Sequence, residues 1–260
     1  MVLVYDLGLH DGGDTGHYLK EGCRVVAVDA NPAMCSVAET KFHDFIQKGQ
    51  LRIINCGIGE SHSLLEFWIC EDFSEWSSFN RAAASRNGAK HHSVTVKCIP
   101  ITTLIEEFGV PDYMKIDLEG CDYFCIRDIT SHIAPKYISI EMDQSGEGGS
   151  IRRLSDLGYR KFKIICQNNA WRQVTVQNIR FYDKLAARKI IPRCWQKMGR
   201  AFYKCWTNRN LGESGPWGEK TSGAWHSADH AFEVSRLLQE VDERLGCRGL
   251  GGWYDIHAKR

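Results

Sequence analysis

No stretch of the 260-residue chain approaches the roughly 18 uninterrupted apolar residues that a membrane span needs. The first residues run straight into a strand-like segment, Val2 to Leu7, with neither a basic n-region nor an apolar h-region before it. These two absences lead us to expect a soluble, cytoplasmic protein with no transmembrane segment. No CxxC pair occurs either, although cysteine is abundant, with 11 in all. The usual zinc spacing is therefore missing, and an odd count without a secretory signal argues against a disulfide framework. Cys23, Cys56, Cys70, Cys98 and Cys166 lie in apolar runs and are expected to be small buried hydrophobes in a reducing compartment. Acid is scarce in one block only. Residues 151–210 hold 15 Lys and Arg but only Asp156 and Asp183, a net +13. Residues 1–150 are at −10 and residues 211–260 at −2, so the overall charge of +1 conceals a strong asymmetry.

What the chain does have is alternation. Strand-like runs at 3–7, 24–29 (RVVAVD), 51–56 (LRIINC), 113–118 (YMKIDL) and 137–142 (YISIEM) are separated by helical stretches at 15–21, 33–47, 101–108 and 121–129. Residues 64–69 and 93–99 read as a further hairpin or edge pair. Beyond these, 151–157 is expected as helix and 161–166 as strand, with 174–181 as the last strand. Two later helices are expected at 190–205 and 227–245, the second with Ser227 as N-cap. Strand–helix alternation of this kind predicts an α/β fold, a doubly wound and mostly parallel sheet. We expect one domain over 1–185. Residues 186–260 would form a helical and loop extension packing on it, with a Gly/Trp-rich loop at 212–222 and an aromatic tail at 252–257.

The segment Val4 to Thr15, VYDLGLHDGGDT, ends a strand in an acid and turns through glycines into a helix. A dinucleotide site would want GxGxxG there, so that a diphosphate meets a helix N-terminus. Leu9 and His10 interrupt that pattern, and an acid before Gly8 repels a diphosphate. The arrangement suits a cationic ligand, such as the amino group and sulfonium of S-adenosylmethionine. Asp29 ends the second strand 21 residues after Gly8, where a carboxylate can accept hydrogen bonds from ribose hydroxyls; Asn31 and Pro32 follow. The third piece is Met114–Gly120, MKIDLEG, in which Asp117 faces the same crevice and Lys115 sits oddly in mid-strand.

Taken together, YDLGLHDGGDTGHYLKEGCRVVAVDANP, Trp76-Ser77-Ser78-Phe79 and MKIDLEG resemble the FkbM family of methyltransferases over about residues 3–145. The resemblance implies a class I, Rossmann-like methyltransferase fold with S-adenosylmethionine as cofactor, acting mostly on hydroxyls of natural products or sugars. It places Asp6, Gly8 and Gly12 at the methionine end and Asp29 at the ribose. Asn31, Gly57, Ile58, Ser78 and Asp117 join them as expected cofactor contacts. His10 departs from the family, which usually has asparagine there, and the tail beyond 190 is outside its common core.

Methyl transfer to an alcohol needs the acceptor oriented and its proton removed by a base or a metal. The candidate catalytic residues are His10, Lys115, Asp117, Glu119 and Glu141. Asp117, Glu119, Glu141 and Asp143 end adjacent strands, which makes Mg2+ a candidate; the plainer alternative has Glu141 pairing with Lys115 and no metal ligands. His226 and His230, four apart, read as surface residues. Lys189, Arg193, Lys197, Arg200 and Lys204 draw one basic stripe on a helix. The stripe fits docking on the acidic first half, a homodimer contact, or an anionic small-molecule acceptor. An RNA methyltransferase ranks below these, because no RNA-binding motif is visible. A cofactor-binding module without activity is the third reading.

Overall fold

The computed structural model describes residues 1–142, 148–167, 172–187, 214–245 and 253–260. They divide into two units, Met1–Ile138 and Ser139–Arg260. In the first, β1 (Leu3–Leu7), β2 (Arg24–Asp29), β3 (Leu51–Asn55) and β7 (Tyr113–Ile116) form a wholly parallel sheet in the order β7-β1-β2-β3. All five residues of β1 are buried, as a central strand covered on both faces requires. Helices α1 (Gly13–Lys20), α2 (Pro32–Lys41), α3 (His43–Gln47), α4 (Arg81–Ala84), α5 (Ile101–Phe108) and α6 (Asp122–Arg127) complete this unit. The expected edge pair is a full antiparallel hairpin, β5 (Ser63–Cys70) with β6 (His91–Ile99), in register from Ser63↔Cys98 to Cys70↔His91. The short β4 (Gly57–Ile58) runs parallel to β6 on its other side. Tyr5 ties the first sheet to α5, its single hydroxyl proton shared between the carbonyls of Leu104 (2.8 Å) and Gly109 (2.7 Å).

The helix expected over 33–47 is broken. Phe42 leaves helical geometry (φ −113°, ψ 22°) between α2 and α3, and its ring turns inward. That ring fills the space above Gly12 and Gly16, where an added Cβ would stand 2.6 and 3.3 Å from it. The break in the helix and the glycines of the first turn are thus one packing feature.

The second unit contains the end of β8 (Tyr137–Glu141), α7 (Gly149–Asp156), β9 (Lys161–Cys166), β10 (Arg172–Gln173), α8 (Val176–Ala187), α9 (Ala228–Leu245) and β11 (Tyr254–Lys259), with strand order β10-β9-β11-β8. Two expectations are corrected here. Residues 174–181 are not the last strand: after β10 the chain enters α8, which buries Val176 and Ile179, three apart, at helical spacing. The last strand is β11, taken from sequence as an aromatic tail; it pairs antiparallel with β9 from Tyr254↔Cys166 to Lys259↔Lys161. Buried Asp255 and His257 interrupt its apolar run and mask the strand pattern. Ser227 does cap α9, accepting from the His230 N–H at 3.4 Å. The basic stripe 189–204 and Asp143 lie outside the described residues. Of the 11 cysteines, eight lie among the described residues; all are free and all but Cys121 are buried, with burial pushing the Cys35 and Cys56 thiols up to about 12. The buried ones pack as small core hydrophobes.

Candidate active site at the switch point of the first sheet

From β1 the chain moves to β2 and β3 on one side, while β7 lies on the other. Neighbouring strands β1 and β7 therefore lead in opposite directions, and a crevice opens beyond their carboxyl ends. Lys115 on β7 stands beside Asp6 on β1 in strand register. Its Nζ donates to the Gly8 carbonyl at 2.8 Å and lies 3.3 Å from Asp6, 3.7 Å from Asp117 and 3.9 Å from Asp14. Lys115 is 3% exposed and Asp6 fully buried. A buried ammonium is tolerable only with counter-charge and hydrogen bonds, and three carboxylates and a carbonyl supply both. Asp6 also accepts from the Thr15 hydroxyl at 2.6 Å, which fixes the start of α1 on β1.

The turn after β1 is pinned from below. The N–H groups of Gly8 and Leu9 both donate to the Val28 carbonyl, at 2.9 and 3.0 Å, and Asp117 N–H donates to the Leu7 carbonyl at 2.9 Å. Gly8 has φ 94°, and a Cβ there would stand 1.9 Å from the Asp117 carbonyl oxygen. Only glycine fits.

Asp29, at the end of β2, has each oxygen committed to one backbone N–H: Oδ2 accepts from His10 at 2.7 Å and Oδ1 from Asn31 at 2.8 Å. Burial pushes its carboxyl up, and the two N–H bonds pull it back. Each oxygen keeps a lone pair for a further donor. Three non-glycine residues among those described have left-handed backbones: His10 (φ 46°), Asn87 (φ 58°) and Glu119 (φ 47°). Two of them flank this crevice, and both are fastened to the segment 73–79. His10 Nε2 bonds the Ser74 hydroxyl at 2.8 Å, and the Ser78 hydroxyl donates to the Glu119 carbonyl at 2.9 Å.

The structure places each expected site residue. Asp6 is fully buried, with Oδ2 on the Thr15 hydroxyl and Oδ1 facing the Lys115 ammonium. Lys115 is buried in mid-strand and held among three acids, Asp6, Asp14 and Asp117. Gly12 (φ 75°) is required by its backbone and by Phe42. Gly57 and Ile58 belong to the second sheet: Ile58 is buried, and a Cβ on Gly57 would meet Phe79 at 2.4 Å. Asn31 caps α2, accepting from Ala33 N–H at 3.0 Å. Ser78 is buried; its hydroxyl donates to the Glu119 carbonyl and accepts from Asn80 N–H. Glu141 ends β8 in the second unit. Within the first unit, Asp29, His10, Asp117 and Glu119 lie at the crevice. Sequence reasoning missed Asp14, Thr15, Ser74 and Asp122. Asp122 accepts from Leu118 N–H (2.9 Å) and Gly120 N–H (3.2 Å), and burial, then Asp117, push its carboxyl up. A lysine buried in mid-strand was the available signal for Asp14, since such a residue demands nearby acids.

Among the described residues, no group of three or more His, Cys, Asp or Glu is placed to hold a metal ion. The centre of the acid cluster is filled by the Lys115 ammonium. His226 and His230 stack their rings at 4.1 Å. Loop residues 218–226 are fastened onto β9: Lys163 Nζ donates to the Thr221 carbonyl (2.9 Å) and lies 4.3 Å from the Trp225 ring centre, and Trp225 Nε1 donates to Glu219 (2.8 Å). This part of the 212–222 loop is a packed element of the second unit.

The methyltransferase FkbM domain matches residues 6–161. The chain belongs to the FkbM methyltransferase family. It is an S-adenosylmethionine-dependent methyltransferase of α/β fold, and the switch-point crevice of this FkbM protein lies wholly within the matched residues. No curated relative matches the sequence. Distant likenesses among solved structures include precorrin-6y C5,15-methyltransferase from Geobacter metallireducens GS-15 (10% identity, 100% of this chain and 80% of that one, TM-score 0.41). Another is phosphoethanolamine N-methyltransferase 2 from Haemonchus contortus, in complex with phosphomonomethylethanolamine and S-adenosylhomocysteine (9% identity, 100% of this chain and 49% of that one, TM-score 0.37). No helix among the described residues is long and apolar enough to cross a membrane.

Proposed function

We propose that this FkbM protein methylates a hydroxyl of a small molecule, sugar or natural product. The observation that carries the reading is the pair of strained residues, His10 and Glu119, held across the crevice by one segment. Left-handed backbone at a non-glycine residue costs about 1–2 kcal/mol and persists where the surroundings impose it, which is common at reaction centres. The residues also fit the cofactor. Asp29 is oriented by two N–H groups with a lone pair on each oxygen, the acceptor pair that a vicinal diol needs. Three acids against one lysine leave the crevice net negative, which favours a sulfonium and opposes a diphosphate.

Bound there, the cofactor supplies an electrophilic methyl group. Asp29 would hold the ribose hydroxyls. Lys115 fixes the Gly8 carbonyl and so the turn that faces the methionine end. Glu119 takes the proton from the acceptor hydroxyl, and His10, already bonded to one hydroxyl, Ser74, orients the acceptor beside it. Mg2+ has no part in this scheme. The test is transfer of labelled methyl to a panel of hydroxyl and amine acceptors with and without EDTA. Glu119→Gln is expected to lower kcat by about 10²–10⁴-fold with S-adenosylmethionine affinity unchanged, and EDTA to have no effect. Full activity in Glu119→Gln, or labelling of nitrogen acceptors only, overturns the reading.

A further inference from the structure

The segment 73–79 does more than fasten two loops. Between its anchors, Ser74 on His10 and Ser78 on Glu119, the chain makes a 3-10 turn over Ser74–Trp76. Behind them it is locked to β5: the Ser78 and Trp68 backbones exchange two hydrogen bonds of 2.9 Å, and the Ser77 hydroxyl accepts from Cys70 N–H at 3.1 Å. So rigid a strap needs no large apolar group at its tip, yet it carries two. Phe73 and Trp76 stack with ring centres 4.3 Å apart and planes 32° from parallel, and Phe73 is 46% exposed. The Arg86 guanidinium lies 4.4 Å from the Trp76 ring centre. Its Nε is buried and has no hydrogen-bond partner among the described residues. An exposed ring forgoes the free energy that burial would give. A buried donor without a partner is costly as well.

A ligand that covers the ring buries that surface, and an oxygen on it can accept from the guanidinium's terminal N–H groups beside Trp76. We infer that Phe73, Trp76 and Arg86 form the acceptor subsite of the crevice, taking an oxygen-bearing ring, sugar or phenolic, with its face on Phe73 and an oxygen toward Arg86. Stacking on an aromatic face suits both ring types. The strap then presents the ring's hydroxyl between His10 and Glu119, so this inference rests on the function proposed above.

Saturation-transfer NMR on the full chain loaded with S-adenosylhomocysteine tests it, with methyl β-glucopyranoside, catechol and open-chain 1,2,6-hexanetriol as probes. At least one ring probe should receive saturation and the triol none. A glucoside signal alone identifies a sugar acceptor, and a catechol signal alone a phenolic one. Phe73→Ala should abolish the signal, and Arg86→Met should weaken binding at least fivefold. Both variants should bind S-adenosylhomocysteine within twofold of wild type by calorimetry. Ring binding that survives Phe73→Ala, equal binding of the triol, or no ring binding by cofactor-competent protein overturns the subsite alone. Failure of the wild type to bind S-adenosylhomocysteine overturns the function beneath it.

Discussion

Lys115 shows how one residue organises the crevice. Its ammonium is the counter-charge for Asp6, Asp14 and Asp117, and its hydrogen bond sets the Gly8 carbonyl. Lys115→Met strands buried carboxylates and should destabilise the protein by about 3–5 kcal/mol in urea denaturation. Adding Asp6→Asn should restore part of that loss, because the second change removes one stranded charge. A strictly additive double mutant would show that the two side chains are uncoupled. His257 is the second residue of this kind. It is fully buried on β11 opposite Lys163, and burial, then that lysine, lower its pKa to about 3. The unfolded chain takes up a proton near pH 6.5, whereas the folded one does so only near 3. Stability from this residue is complete above pH 6.5 and falls by about 1.4 kcal/mol per unit as pH drops below that. His257→Phe should lose that slope between pH 6.5 and 4, measured by denaturation at each pH. An unchanged slope would mean that other groups set it. Lys115 was visible in the sequence as an anomaly. His257 was not, because nothing local distinguishes a buried histidine in a strand from an exposed one in a tail.

Elements were legible wherever periodicity matched their environment. The β1–β2–β3 and β7 strands were found because buried parallel strands are continuous apolar runs, and the β5–β6 hairpin because its two runs flank a turn-rich segment. The failures have physical causes. The 33–47 helix breaks at Phe42 because the ring is drawn inward to Gly12 and Gly16, a tertiary effect that helical spacing does not encode. Residues 174–181 begin with Val, Thr and Val, which favour strand, yet Val176 and Ile179 find their core at helical spacing. Glycine gives a sharp element-level prediction. Gly8→Ala drives a Cβ to 1.9 Å from the Asp117 carbonyl, on top of a positive φ, so the loss should far exceed the about 1–2 kcal/mol of left-handed backbone alone. Gly120→Ala, with φ 102° and nothing within 4 Å, should cost only about that smaller amount. Equal losses in urea titrations of the two variants would refute the close approach at Gly8.

At the scale of the whole molecule, the chain divides its labour along its length. The acid-rich first half holds the switch-point crevice and falls within the FkbM match at 6–161, while the excess of basic charge lies in 151–210. The cofactor end was legible because a strand-terminal acid, a glycine turn and a second acid one βα unit later are local in sequence. The acceptor end was not, because the strap 73–79 reaches His10 and Glu119 only through the fold. The central claim is that the crevice between β1, β2 and β7 holds S-adenosylmethionine through Asp29. Isothermal titration calorimetry of the wild type and Asp29→Ala with S-adenosylmethionine and NAD tests it most directly. We predict that the wild type binds S-adenosylmethionine and not NAD, and that Asp29→Ala binds it at least tenfold more weakly. Equal affinity in the variant, or binding of NAD in place of S-adenosylmethionine, would contradict the account.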